Sequence, residues 1–311
     1  MLCPGAARAQ ADPWPQRPVR LIVPSTPGSG IDLMARSLAE HLAARWGKPV
    51  VLENRPGANA IIGTEAAARS APDGHVLLFS SDAAFTINPH VYPKLPYDPL
   101  ADFAPVAQVV TFSQILVAHP SAGVASWTAL VAAAGRSPGR LAYASLGTGS
   151  AAHLMSELLA RSAAIELLHV PYKGFAPAFQ AVLNGEVPLG WSNIFAARSH
   201  VEAGRLRALG IAAAKRSRFM PAVPTFAELG VDGLAFDLWF GVFAPAATPP
   251  ALVERLYHDI AQWMTDPAVV ERDFLARAYE PSGLGPGQFG VLLRRELAAR
   301  GPPARALRAP D

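Results

Sequence analysis

Residues 18–46 read PVRLIVPSTPGSGIDLMARSLAEHLAARW, and within them the local pattern changes twice. Val19 to Val23 is a short, largely apolar run closed by Pro24, as a buried strand should be. Ser25-Thr26-Pro27-Gly28-Ser29-Gly30 concentrates turn formers and hydroxyls. From Ile31 onward, apolar residues recur at Leu33, Met34, Leu38, Leu42 and Trp46, close to the spacing of one helical face. Strand, glycine-hydroxyl loop and helix in succession form the repeating unit of an α/β protein whose helices cover the faces of a sheet.

The unit recurs on the C-terminal side. Pro49–Glu53, Ile61–Ser70 and Val76–Ser80 continue as strand, helix and strand. Pro89–Pro105 is Pro-rich and irregular, and Val106–Ala118 is a long β-type run able to pass from one domain to another. A second alternation follows: helix Trp127–Ala134, strand Leu141–Ala144, loop Ser145–Ser150 and helix Ala151–Ala163. It continues with strand Leu167–Val170, helix Ala176–Asn184, strand Val187–Trp191, helix Ala196–Ala203 and strand Leu206–Ala212. Leu238–Ala244 then reads as a strand crossing back, and helices are expected over Pro249–Met264, Pro267–Ala278 and Gln288–Arg300. This predicts two lobes, each a mostly parallel sheet flanked by helices, joined by two crossover strands. Residues 18–116 and 237–311 form a discontinuous first lobe, 117–236 form the second, and a ligand cleft lies between them.

With 311 residues there is ample chain for two such cores, and 51% hydrophobic against 16% charged residues excludes a disordered chain. Thirty Pro and 25 Gly place rigid turns throughout, which excludes a coiled coil. Lys and Arg (27) barely outnumber Asp and Glu (24), and the basic groups Lys215-Arg216-Arg218 and Arg294-Arg295 are scattered, so no nucleic-acid partner is expected. A single cysteine, Cys3, excludes an internal disulfide and a cysteine zinc cluster, and no metal is expected. Residues 1–17 read either as the remnant of a signal peptide, with Ala9-Gln10-Ala11 as the cleavage signal, or as a frayed terminus.

Two loops share one design. Ser25, Thr26, Pro27, Gly28 and Ser29, and likewise Gly147, Thr148, Gly149 and Ser150, follow a strand and open a helix. The unpaired first-turn N–H groups and the helix dipole can there receive an anion without a basic side chain. The competing reading is ordinary helix capping. Asp32 follows the first loop as a dipole partner that could also order it. His153 lies one turn into the helix after the second loop, as a helix-end hydrogen-bonding residue or a cleft residue. Tyr172, Lys173 and Gly174 follow a strand at the same edge, where Lys173 suits an acidic ligand or a surface ion pair equally. Ser80, Ser81 and Asp82, with Ser192 and Asn193, add polar groups at strand ends. Gly147 to Ala152 fits G-x-G-x-x-A, but no acidic residue ends the next strand, so no cofactor is expected. No nucleophile and base are nominated as a pair, and the chain reads as non-catalytic. An α/β enzyme using the Gly147 loop for a nucleotide or acyl substrate is the alternative.

In these same stretches the sequence resembles the tripartite tricarboxylate transporter receptors, the Bug or TctC-type solute receptors. The matching segments are Pro27-Gly28-Ser29-Gly30-Ile31-Asp32, Val51-Leu52-Glu53-Asn54-Arg55-Pro56-Gly57, Ala71-Pro72-Asp73-Gly74 and Gly147-Thr148-Gly149-Ser150 with His153. Val170-Pro171-Tyr172-Lys173-Gly174, Pro224-Thr225-Phe226 and Trp239-Phe240-Gly241 follow in family order. The resemblance implies a monomeric periplasmic binding protein of the type II class that closes on a small organic carboxylate and delivers it to membrane permease subunits. A sensor that docks on a signalling partner fits the same resemblance. The family usually carries Gly at the positions of Ser29 and Phe175, so Phe175 is expected beside the cleft, narrowing it or favouring an aromatic ligand.

Overall fold

The computed structural model describes residues 14–235, 237–305 and 307, so the Ala9-Gln10-Ala11 signal and Cys3 lie outside the described residues. The chain opens with β1 (Val19–Val23), α1 (Gly30–Trp46), β2 (Val50–Asn54), α2 (Ile61–Ala68) and β3 (Val76–Ser81). Two short helices, α3 (Asp82–Thr86) and α4 (Asn88–Val91), lead to β4 (Phe103–Phe112). After Ser113 come β5 (Gln114–Ala118), α5 (Trp127–Arg136), β6 (Ala142–Ser145), α6 (Ala151–Ser162), β7 (Leu168–Pro171), α7 (Phe175–Leu183), β8 (Leu189–Asn193), α8 (Ile194–Glu202) and β9 (Arg207–Ala212). The chain finishes with β10 (Leu238–Pro245), α9 (Pro250–Thr265), α10 (Pro267–Val269), β11 (Glu280–Leu284) and α11 (Pro286–Arg305).

Two sheets result, ordered β11-β4-β10-β3-β1-β2 and β7-β6-β8-β5-β9. Both are mixed, which corrects the expectation of mostly parallel sheets. The βα units give parallel pairs, β1 with β2 and β3, and β6 with β7 and β8. The strands that carry the chain between sheets pair antiparallel, as β10 does with β3 and β4, and β5 with β8 and β9. The cause is directional. Helix-linked strands finish at the edge where the sheets meet, whereas β5 starts there, with Gln114 opposite Asn193. β10 likewise starts beside the ends of its neighbours, with Phe240 opposite Ser81.

Strand alternation explains why helices cover both faces. In β1, Leu21 and Val23 join a core with Met34, Leu38, Ile260 and Trp263 of α1 and α9, while Ile22 points into the opposite core with Phe243, Phe289 and Leu293. In β5, Ile115 and Val117 pack with Val182 of α7 and Ala197 of α8, while Leu116 and Ala118 face Trp127, Leu130 and Leu159. Both faces being buried, these strands read as continuous apolar runs.

Three segments differ from the sequence reading. Val106–Ala118 breaks at Ser113 into strands of different sheets. Pro267–Ala278 forms one α-turn, then π and 3₁₀ turns, ending at Ala278 with φ +55°. Glu280–Leu284 is a strand despite Pro281 and Gly283, because β11 lies at a sheet edge, where a missing N–H costs no central ladder bond.

Candidate functional site

The loops after β1 and β6 are two copies of one turn. Ser29 N–H donates to Thr26 O at 3.3 Å, and Ser150 N–H donates to Gly147 O at 3.1 Å. The third residue of each four-residue turn is a glycine of positive φ, Gly28 at +79° and Gly149 at +78°, as a type II turn requires. The N–H of that glycine is taken up by the side chain four residues on. Gly28 donates to Asp32 Oδ2 at 2.8 Å, and Gly149 donates to His153 Nδ1 at 3.2 Å. Each turn is thereby tied to the first turn of its helix, leaving the helix head pointing between the lobes. The N–H groups of Gly30, Ile31 and Asp32 in α1, and of Ala151 and Ala152 in α6, have no acceptor among the described residues.

The two ties differ in charge. Asp32 is fully buried and accepts from Arg36 at 2.9 and 3.2 Å, from Asn54 at 2.8 Å and from Gly28. Burial would raise its pKa, but the hydrogen bonds from Arg36, Asn54 and Gly28 outweigh it and hold the carboxyl below its usual range. Asn54 also donates to Ser25 O at 3.1 Å, and the Ser25 and Ser29 hydroxyls lie 2.7 Å apart. His153 stacks on His169 at 4.1 Å, which stacks in turn on Tyr143 at 5.1 Å. Ser145 Oγ lies 2.5 Å from His169 Nε2 and accepts from Gly147 N–H at 3.1 Å. Burial, and then the neighbouring His153, press the His169 pKa down to about 4, and burial lowers that of His153.

This stack makes stability depend on pH. An imidazole depressed in the fold binds fewer protons than its unfolded counterpart between about pH 4 and the ordinary value of 6.5. Stability is therefore complete above that window and declines as the pH falls through it. Thermal unfolding recorded across pH 4 to 7 should show the decline, and His169→Gln should flatten it; an unchanged slope in that variant would remove the stack as its source.

The lobes touch at these loops. Asn59 Nδ2 donates across to Gly149 O at 3.1 Å, and Tyr92 Oη to Thr148 O at 2.9 Å. Asn88 holds Asn59 in place through bonds of 2.6 and 2.8 Å. Beneath them Leu154 of α6 is buried with Ile87, Val91, Ala304 and Leu307. Ala151, the first residue of α6, packs against the first-lobe core that contains Ile31 and Tyr279. The head of α6 thus lies against the first lobe, beside the core that includes Ile31 at the head of α1.

Other expected residues are placed differently. Ser81 ends β3 half-buried, with no cap bond, whereas the hydroxyl of fully buried Ser80 has no partner among the described residues. Asp82 is corrected: only 2% exposed, it pairs with Arg300 of α11, which also binds Glu296 at 3.1 Å. Burial raises the Asp82 pKa in spite of Arg300, and its carboxylate ties α3 to α11. Ser192 is buried and donates to Asn193 O, while Asn193 caps α8 through Ala196 N–H at 2.8 Å. Tyr172 packs half-buried on the second core, and Lys173 is exposed. Gly174, with φ +113°, precedes α7. Phe175 is half-buried at the first position of α7. Its ring stacks on Phe179 one turn later at 5.3 Å, because i and i+4 side chains share a helix face.

Nothing in the sequence marked Asn59, Asn88 and Tyr92 as residues that hold the second-lobe turn. Asn59, at φ +50°, sits in a short loop whose sequence gives no sign of reaching the other lobe. Two hollows lie away from these loops. One of about 770 Å³ lies on the outer face near Trp46 and Arg255, and one of about 570 Å³ lies behind the crossing strands near Lys215 and Arg218.

Residues 34–282 match the model of the tripartite tricarboxylate transporter family receptor. Protein BugT of Bordetella pertussis is 40% identical over 293 residues, 94% of this chain and 90% of that protein. Among solved structures, Rpa4515 of R. palustris with adipate superposes with a TM-score of 0.88 at 32% identity, covering 95% of this chain and 98% of that one. MatC of Rhodopseudomonas palustris with bound malate gives 0.85 at 28% identity, covering 94% and 100%.

Proposed function

This chain belongs to the tripartite tricarboxylate transporter receptor family, and from that membership we propose that it holds a small organic carboxylate between the Gly28 and Gly149 turns and delivers it to a membrane permease from the periplasm. The observation that carries the reading is the pair of matched turns, each leaving a helix head with unpaired N–H donors facing the other lobe. A carboxylate there gains charge-assisted bonds from the backbone and a favourable dipole from each helix. No lysine or arginine is required. Asp32 binds Arg36, so the local cation is already neutralised. The relatives solved with adipate and malate support a carboxylate as the ligand class.

Ligand contacts made by both lobes stabilise the closed arrangement over the open one, and only such differential contacts can drive closure. Asn59 and Tyr92 hold the second-lobe turn in that arrangement through its carbonyls, leaving its N–H side for the ligand. Binding to the folded chain alone raises apparent stability, by about 2.7 kcal/mol at a ligand concentration of a hundred times Kd. A thermal-shift screen of succinate, glutarate, adipate, malate and benzoate should therefore yield at least one clear rise in Tm. No rise with any acid would contradict the reading.

A further inference from the structure

Tyr279 stands between the irregular turn that ends at Ala278 and the edge strand β11. Its ring is gripped by both crossing segments. Phe112, the last residue of β4, lies 5.2 Å away and Phe240 of β10 lies 5.7 Å away. Only 3% of the residue is exposed. The ring is fixed, and the hydroxyl is aimed. A Cβ built on Gly30 would fall 2.3 Å from the Tyr279 hydroxyl oxygen, so this hydroxyl sits over the first residue of α1. It has no hydrogen-bond partner among the described residues, and neither do the N–H groups of Gly30, Ile31 and Asp32 beside it.

The phenol and the three backbone N–H groups together make four donors without partners, a set that one acceptor of several lone pairs can satisfy. No side-chain acceptor fills the position, since Asp32 is turned back onto Gly28, Arg36 and Asn54. Burial pushes the phenol pKa up to about 12, so the group remains a neutral donor near neutral pH. An acceptor with more than one lone pair and negative charge satisfies this set, and a carboxylate has that form.

We infer that Tyr279 donates a hydrogen bond to the ligand carboxylate and completes, with the N–H groups at the head of α1, the anion seat of the first lobe. The inference rests on the carboxylate reading above and adds a side chain to it. It also explains Gly30. Any side chain at that position would displace the hydroxyl from the seat, whatever its helix propensity.

Calorimetric titration with succinate, glutarate, adipate and benzoate tests this on four proteins: wild type, Tyr279→Phe, Gly30→Ala and the double variant. Tyr279→Phe keeps the ring packing, so its Tm without acid should match wild type. Its affinity for the tightest-binding acid should drop about ten- to a hundred-fold, the worth of one bond to a charged group. Gly30→Ala should bind weakly and unfold earlier. Tyr279→Phe in that background should restore Tm, since the next ring atom is 3.6 Å from the added Cβ, without restoring affinity. A merely structural tyrosine would not separate the two readouts. Wild-type affinity in Tyr279→Phe overturns the role of Tyr279 and leaves the carboxylate reading standing; a wild-type protein that binds none of the acids overturns both.

Discussion

Gly149→Ala is expected to weaken carboxylate binding by about a hundred-fold while both lobes remain folded. At φ +78° an alanine is strained by about 1–2 kcal/mol. Its Cβ would also lie 2.9 Å from Val91 Cγ1 and 3.4 Å from the Tyr92 ring, both across the lobe boundary. Overpacking of this kind costs about 1–3 kcal/mol. Opening of the lobes would withdraw Val91 and let the loop relax, so the penalty is expected to fall mainly on the closed state. A bias of about 3 kcal/mol lowers the closed population roughly a hundred-fold. Gly28→Ala is the internal control. It carries the same strain at φ +79°, yet nothing lies within 4 Å of its added Cβ. Titration calorimetry should show a much smaller loss for Gly28→Ala, and small-angle scattering should show that only Gly149→Ala fails to compact with acid. Equal losses in the two variants would assign the effect to backbone strain and not to closure.

Asp82→Ala should produce the largest loss of stability. Its carboxylate and the Arg300 guanidinium are both buried, and removing one member of such a pair costs about 3–5 kcal/mol, because the partner is left charged in a poorly solvated place. Arg300 retains Glu296, which also accepts from Trp239 at 2.8 Å, so the lower figure is the better expectation. Urea denaturation measures it. The folded fraction should still bind carboxylate with wild-type affinity, since Asp82 is buried against Arg300 and links α3 to α11. Lost affinity with intact stability would return Asp82 to the site.

Local order along the chain was legible because it is written in local chemistry. Val19–Val23 followed by a Pro-Gly-Ser loop and a 3.6-residue stripe admits few other structures, and the same holds at Ala142 to Ser162. The likeness of the two turns was legible for the same reason, since Pro27-Gly28 and Thr148-Gly149 each place glycine third in the turn. Strand direction was not. β5 and β10 are antiparallel because the chain crosses between sheets at Ser113 and before Leu238, which is a property of the path and not of any residue. Asp82 looked like a site residue by its position after β3. Its partner Arg300 is 218 residues away, so its engagement was invisible until the fold brought α11 over α3. Tyr279 was hidden by the opposite error. Residues 267–278 have the composition of a helix, but the turn tightens at Ala278 and swings the phenol over Gly30.

The most direct test is a crystal structure of the protein grown with whichever acid gives the largest thermal shift. The carboxylate is expected within hydrogen-bonding distance of the N–H groups of Gly30 to Asp32 and of the Tyr279 hydroxyl, facing the Gly149 turn, with Asn59 still bonded to Gly149 O. A carboxylate bound instead in the groove behind the crossing strands, against Lys215 and Arg218, with the head of α1 unoccupied, would contradict it.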